Sequence, residues 1–168
     1  PQSFRIMYRA YDDMLVRKHL IDFDDMIVQC RELLMQREDY RRAWQNKYKY
    51  ILIDEFQDIN KAQFDVVRIL ADEYRNLFVV GDDDQSIYGF REANVELIKD
   101  FFVMIGDKNG TDVRLMENRR STVNIVDFAA KLISFNEDRI DKKPVSTNGF
   151  GKHVEVEKCR TKDEEQEY

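Results

Sequence analysis

The chain has 168 residues, 43% of them apolar, 36% charged, and a formal net charge of −6. That balance supplies enough apolar side chains for a folded core and excludes both a disordered polyelectrolyte and a uniformly basic nucleic-acid coat, although a local basic groove stays compatible with it. Two cysteines at positions 30 and 159 fit no metal-ligand spacing and no disulfide framework, so a reduced, cytosolic setting is expected; no apolar run reaches membrane-spanning length, and no membrane partner is expected.

In chain order, Ser3 is placed to cap a helix whose stripe is Phe4, Met7, Tyr8, Tyr11 and Met14. A second helix opens near Asp22 to Asp25, acids that suit the positive end of a helix, and carries Met26, Ile27, Cys30, Leu33 and Leu34 at helical spacing. A polar segment from Arg37 to Lys49, holding the single Trp44, precedes a strand at Tyr50–Asp54. Asn60 with Gln63 reads as a capping box, followed by a stripe of Phe64, Val67, Leu70, Ala71 and Tyr74, and then a strand at Leu77–Val80. Strand, helix, strand implies a parallel pair. Both strands are apolar without strict alternation, which predicts a sheet covered on both faces.

Asn94 is placed to cap a helix with Leu97, Ile98, Phe101, Phe102 and Ile105. The glycine-bounded turn Gly106–Gly110 is the expected domain seam, dividing residues 1–109 from 110–168. Beyond it a short strand is expected at Val113–Leu115, then a helix capped by Ser121, a polar loop at Asn136 to Lys152, and an alternating strand at His153 to Lys158. Thr161 with Glu164 forms a last capping box, opening a helix with no apolar face to bury, which reads as a segment of a longer protein.

Three places carry chemistry. The first strand ends in Asp54-Glu55, followed by Gln57 and Asp58. In open α/β sheets ligands bind at the carboxyl ends of the strands, and two adjacent acids there can hold a hydrated Mg²⁺ and polarise a water. A solvated acid pair is the ordinary alternative; the apolar strand before it and the polar pair after it favour a nucleotide site. The second strand ends in Gly81 and runs through Asp82-Asp83-Asp84-Gln85 to Tyr88, Phe90 and Arg91. Turn chemistry explains the aspartates. It does not explain two aromatics and a cation in one loop, which is what stacking on single-stranded nucleic acid requires. The third is Arg119-Arg120, elsewhere most often a solvated pair, here before a capped helix where a phosphate contact is usual in α/β folds. Gly149-Phe150-Gly151-Lys152-His153 is not a P-loop, because its first glycine position is Ser146 and its hydroxyl position His153. His19 and His153 are isolated and support no triad or zinc site.

Together these motifs resemble the superfamily 1 DNA helicases of the UvrD/Rep/PcrA family. Asp54-Glu55-Phe56-Gln57-Asp58-Ile59-Asn60 resembles its Walker B box, Gly81 to Arg91 its third motif, and Leu115-Met116-Glu117-Asn118-Arg119-Arg120-Ser121 its fourth; Asp22-Phe23-Asp24-Asp25-Met26 resembles a segment upstream of the Walker B box. The resemblance implies an α/β fold, a RecA-like parallel sheet flanked by helices, spanning the end of the first RecA-like domain and the start of the second. It implies ATP and Mg²⁺ as cofactors and single-stranded DNA or a duplex junction as partner. By resemblance Asp54 holds Mg²⁺, Glu55 is the base for water, Gln85 senses the γ-phosphate, Arg120 contacts that phosphate, and Tyr88, Phe90 and Arg91 line the strand path. Two departures stand out. The family usually has Tyr where Arg119 stands, stacking on adenine, a role a planar guanidinium can also fill, and Gly where Glu92 stands. The Walker A loop is expected before residue 1. A different class of protein, a helicase-like module that holds DNA or a partner without turnover, shares the fold; an upstream Gly-Lys-Ser/Thr loop separates the two.

Overall fold

In the computed structural model the chain folds as two compact units, Pro1–Lys108 and Asn109–Tyr168. The structure describes residues 2–106 and 109–167, with the side chains of Arg91 and Glu167 outside the description.

The first unit is built on one βαβ turn. Strands β1 (Ile51–Ile53) and β2 (Leu77–Val79) pair in parallel, with Ile51 opposite Leu77 and Ile53 opposite Val79. Helix α4 (Lys61–Ala71) connects them and starts in a complete capping box, Asn60 and Gln63 each bonding the other's backbone amide. The expected parallel pair and its connecting helix are therefore present. Before β1 come α1 (Gln2–Lys18), α2 (Phe23–Gln36) and α3 (Glu38–Lys47). Helix α2 has its own box, Asp22 with Asp25. Ser3 lies inside α1, which already includes Gln2, and His19 closes that helix in the left-handed region at φ 52°.

The segment read as merely polar, Arg37 to Lys49, is mostly α3. Its buried residue is Gln45, whose amide donates to the Ile69 carbonyl of α4 at 2.7 Å. Arg41 reaches back to the carbonyls of Leu34 and Met35, and Arg31 of α2 pairs with Asp65 of α4 at 3.5 Å.

The core sits under one face of the small sheet. Phe56, Phe64, Leu97 and Phe101 are buried, and Ile53, Leu77 and Val79 pack on them. Phe56 is central: its ring meets Phe64 and Phe101 edge-on, at centroid distances of 6.0 and 5.4 Å, a favoured aromatic geometry. The opposite face carries Leu52 and Phe78, a register pair 73% and 60% exposed. The expectation of a sheet covered on both faces is thus corrected: the helices carrying Phe64, Leu97 and Phe101 cover one face, and Leu52 and Phe78 stay exposed on the other. The helix expected from Asn94 is two short ones, α5 (Glu96–Lys99) and α6 (Phe101–Ile105), broken at Asp100 and ended by Gly106 at φ 65°. Of the expected seam, residues 107 and 108 lie outside the described residues.

In the second unit β3 (Glu117–Asn118) pairs in parallel with β4 (Val145–Ser146), and α7 (Val123–Ile133) lies between them in sequence. Helix α8 (Lys162–Glu167) begins with the Glu164 amide on the Thr161 hydroxyl. Four expectations change here. Val113–Leu115 is irregular, and the strand lies instead at Glu117–Asn118. His153 to Lys158 forms no strand, and the supposed loop at Asn136 to Lys152 contains β4. Strands this short are selected by the partner they find, not by their own alternation. The residue capping α7 is Thr122, not Ser121, and its carbonyl, not its hydroxyl, meets the first turn.

Candidate nucleotide and nucleic-acid site

Asp54 and Glu55 follow directly on β1 and are exposed. The parallel ladder carries on past the strands: the Val80 amide donates to the Ile53 carbonyl at 2.8 Å and the Phe56 amide to the Val80 carbonyl at 2.9 Å. Between those bonds the backbone folds sharply, and Glu55 takes φ 49° and ψ 43°. A non-glycine residue in the left-handed region costs about 1–3 kcal/mol and persists where its surroundings over-determine it. Here they do. The Glu55 amide donates to Asp54 Oδ1 at 2.9 Å, and the next residue is the buried Phe56.

Gln57 ties this turn to the second strand end. It is 1% exposed. Its Nε2 donates to Glu55 Oε2 at 2.8 Å, while its Oε1 accepts the Asp82 amide at 3.0 Å. Asp82 then accepts Gln85 Nε2 on Oδ2 at 2.7 Å and the Asp84 amide on Oδ1 at 3.1 Å. One continuous run of hydrogen bonds thus joins Glu55 to Gln85 through Gln57 and Asp82. The turn-forming reading of the aspartates holds for Asp82. Sequence reasoning placed Gln57 beside the acids without giving it a role; its burial was not visible in the motif.

Gly81 is needed for this approach. A Cβ there would stand 2.8 Å from Gln57 Oε1 and 2.8 Å from Ile98 Cδ1. Gly81→Ala is expected to push the two strand ends apart and to destabilise the unit by about 1–3 kcal/mol, the usual cost of overpacking. A denaturant midpoint equal to that of the parent would show that the junction is slack.

The loop after Gln85 presents Phe90 outward. Phe90 is 78% exposed, so it does not plug the core; Tyr88 is half-buried, and their rings lie 5.9 Å apart. The side chain of Arg91 lies outside the described residues. Glu92 sits at φ 61°, a conformation glycine adopts without strain.

Arg119 and Arg120 are exposed and belong to the second unit. Their loop is firmly held. Asn118 Oδ1 accepts the amides of Arg120 and Ser121, Asn148 Nδ2 donates to the Arg119 carbonyl at 3.1 Å, and Ser146 Oγ to the Ser121 carbonyl at 2.7 Å. Arg119 lays Nε and Nη2 on Glu117 Oε2, at 3.2 and 2.6 Å. That pair is open to water, so it orients the guanidinium more than it stabilises the fold.

Comparison with known proteins places the chain in a family. Residues 1–103 match the model of the UvrD/REP helicase N-terminal domain. The chain is 35% identical over 167 residues to a probable DNA helicase II homolog of Mycoplasma capricolum, covering 99% of this chain and 23% of that protein. It is 39% identical over 162 residues to the ATP-dependent DNA helicase PcrA of Leuconostoc citreum, covering 95% and 21%. With DNA helicase II of Haemophilus influenzae the identity is 40% over 136 residues, covering 81% and 18%. The chain therefore spans about a fifth of the length of these relatives. Among the described residues no helix is long and apolar enough to cross a membrane.

Proposed function

This chain belongs to the UvrD/REP helicase family, and on that premise we propose that the whole protein carrying it is an ATP-dependent motor on single-stranded DNA. Residues 1–109 are then the latter part of a first RecA-like domain and 110–168 the start of a second. The observation that supports this reading most is the strained, exposed Glu55 at the end of β1, fixed by a buried Gln57 that also holds the strand end leading to Gln85.

The residues fit a hydrated Mg²⁺. Asp54 is an exposed carboxylate that spends Oδ1 on the Glu55 amide, and a hard oxygen donor of this kind suits an ion that keeps most of its waters. When bound, that ion would neutralise charge on the phosphates of ATP. Asp54 would hold it, and Glu55 would accept a proton from the attacking water. Gln85 reads the γ-phosphate. In the second unit Arg120 offers a cation suited to a phosphate, and Arg119 a flat face suited to a purine. Tyr88, Phe90 and Arg91 carry the DNA: aromatic faces stack on bases of any sequence, and the cation meets the backbone. A single strand, free or at a duplex junction, is the substrate this chemistry recognises.

The test is ATP hydrolysis by the whole protein with and without a single-stranded oligonucleotide. Strong stimulation is expected. DNA binding with no turnover would instead identify a holding module. Phe90→Ala is expected to weaken single-strand binding by about 1–3 kcal/mol, the range for one stacked base, and to blunt DNA stimulation while DNA-independent hydrolysis stays near normal. Since Phe90 is largely exposed, its melting temperature should stay within a few degrees of the parent. Unchanged DNA affinity would reject the stacking role and leave Tyr88 or Arg91 as the contact.

A further inference from the structure

We infer that Gln57 is a positioning residue that sets the Glu55 carboxylate according to the state of the Gln85 loop; this rests on the reading of Glu55 and Gln85 proposed above. The primary carboxamide is a rigid plane with a donor at one end and an acceptor at the other. In this chain the donor end holds Glu55 Oε2 and the acceptor end holds the Asp82 amide. A displacement of the Asp82 backbone must therefore tilt the plane and change the bond to Glu55. The amide has little room to ignore such a displacement. It is 1% exposed, and Gly81 lies so close that a single added carbon would stand 2.8 Å from its oxygen.

The other end of the loop is held as well. Asp82 carries Gln85 on its second carboxylate oxygen, so a movement of Gln85 toward or away from a phosphate pulls on the residue whose amide Gln57 reads. The main chain on either side of Gln57 is held meanwhile: the Phe56 amide is on the Val80 carbonyl and the Asp58 amide on the Glu55 carbonyl, each at 2.9 Å, and Ser86 Oγ reaches the Gln57 carbonyl at 3.5 Å. With the main chain held, the side-chain plane is the part left to respond. Gln57 carries no charge in either state, so what passes through it is orientation. The reacting water meets Glu55 alone, and Gln57 acts only through it.

The test uses the whole protein, with ATP, Mg²⁺ and a single-stranded oligonucleotide, and two variants. Gln57→Leu removes both bonds at similar volume. Gln57→Glu keeps the shape and the acceptor for Asp82 but turns an oxygen toward Glu55 in place of the donor; it carries the test if the leucine variant fails to fold. The expected result is a fall of about 10²-fold in DNA-stimulated kcat, the scale for a misplaced catalytic group. The ratio of DNA-stimulated to DNA-independent turnover should approach one, with KM for ATP and single-strand affinity within about twofold of the parent, as expected when an interaction made only in the transition state is lost. Retention of the stimulation ratio, or a change in KM alone, would overturn the inference even if melting falls, since a purely structural role predicts that pattern. Glu55→Gln is measured beside them. A parent enzyme without DNA-stimulated turnover removes the underlying reading itself. A stimulated parent, a dead Glu55→Gln and a normal ratio in both Gln57 variants remove only the relay.

Discussion

Glu55→Gln in the whole protein is expected to abolish ATP turnover while ATP binding persists. The substitution keeps length and shape, and the left-handed turn that carries the residue is fixed by backbone bonds that it leaves alone. What disappears is the proton acceptor proposed for the attacking water. Help from a positioned general base is worth about 10²–10⁴-fold in rate, so the residual turnover should fall at least into that range. The bond from Gln57 stays possible, because the new side chain keeps an oxygen that can accept it. Nucleotide affinity should change little, since the water, not the phosphates, is the partner assigned to Glu55. Steady-state hydrolysis and equilibrium ATP binding, measured on the same preparation, check both halves. Near-normal turnover would make Glu55 a structural acid.

Phe56→Ala carries the largest expected loss of stability. The residue is fully buried, and its ring is the one that Phe64 and Phe101 both meet. Truncating a buried Phe costs about 3–5 kcal/mol, in transfer free energy plus the cavity left behind. Against a typical total of about 5–15 kcal/mol, that is a large share of what holds a domain together. The site should suffer with the fold, because Phe56 stands between Glu55 and Gln57 and anchors the turn they share. Urea unfolding followed by fluorescence gives the number. A loss below about 1 kcal/mol would mean that the cluster repacks around the gap.

The parts of this architecture set by local chemistry were readable beforehand. Apolar runs ending in acids located both strands of the first unit, and the reciprocal Asn60–Gln63 pair located the start of α4. Helix α3 escaped notice because its inward residue is polar. Gln45 is buried through a bond to a carbonyl of another helix, which no apolar stripe signals. The two-residue strands of the second unit escaped for another reason: each exists by virtue of a partner nearly thirty residues away. Every candidate residue of the first unit's site was named from the motifs, Gln57 beside them, yet its joining role was not. Gln57 acquires its place from burial and from an amide 25 positions further along the chain. The left-handed turn at Glu55 is likewise a consequence of two strand ends meeting, and nothing in a Glu side chain announces it.

The most direct test of the central claim, that this chain belongs to an engine converting ATP hydrolysis into movement along a single strand, is a translocation measurement. The whole protein is bound to single strands of increasing length carrying a fluorophore at one end, and ATP with Mg²⁺ is added by rapid mixing. The arrival signal is predicted to require ATP, to lengthen in proportion to strand length, and to vanish with Glu55→Gln. An arrival time independent of strand length, or a signal that persists in that variant, would contradict it.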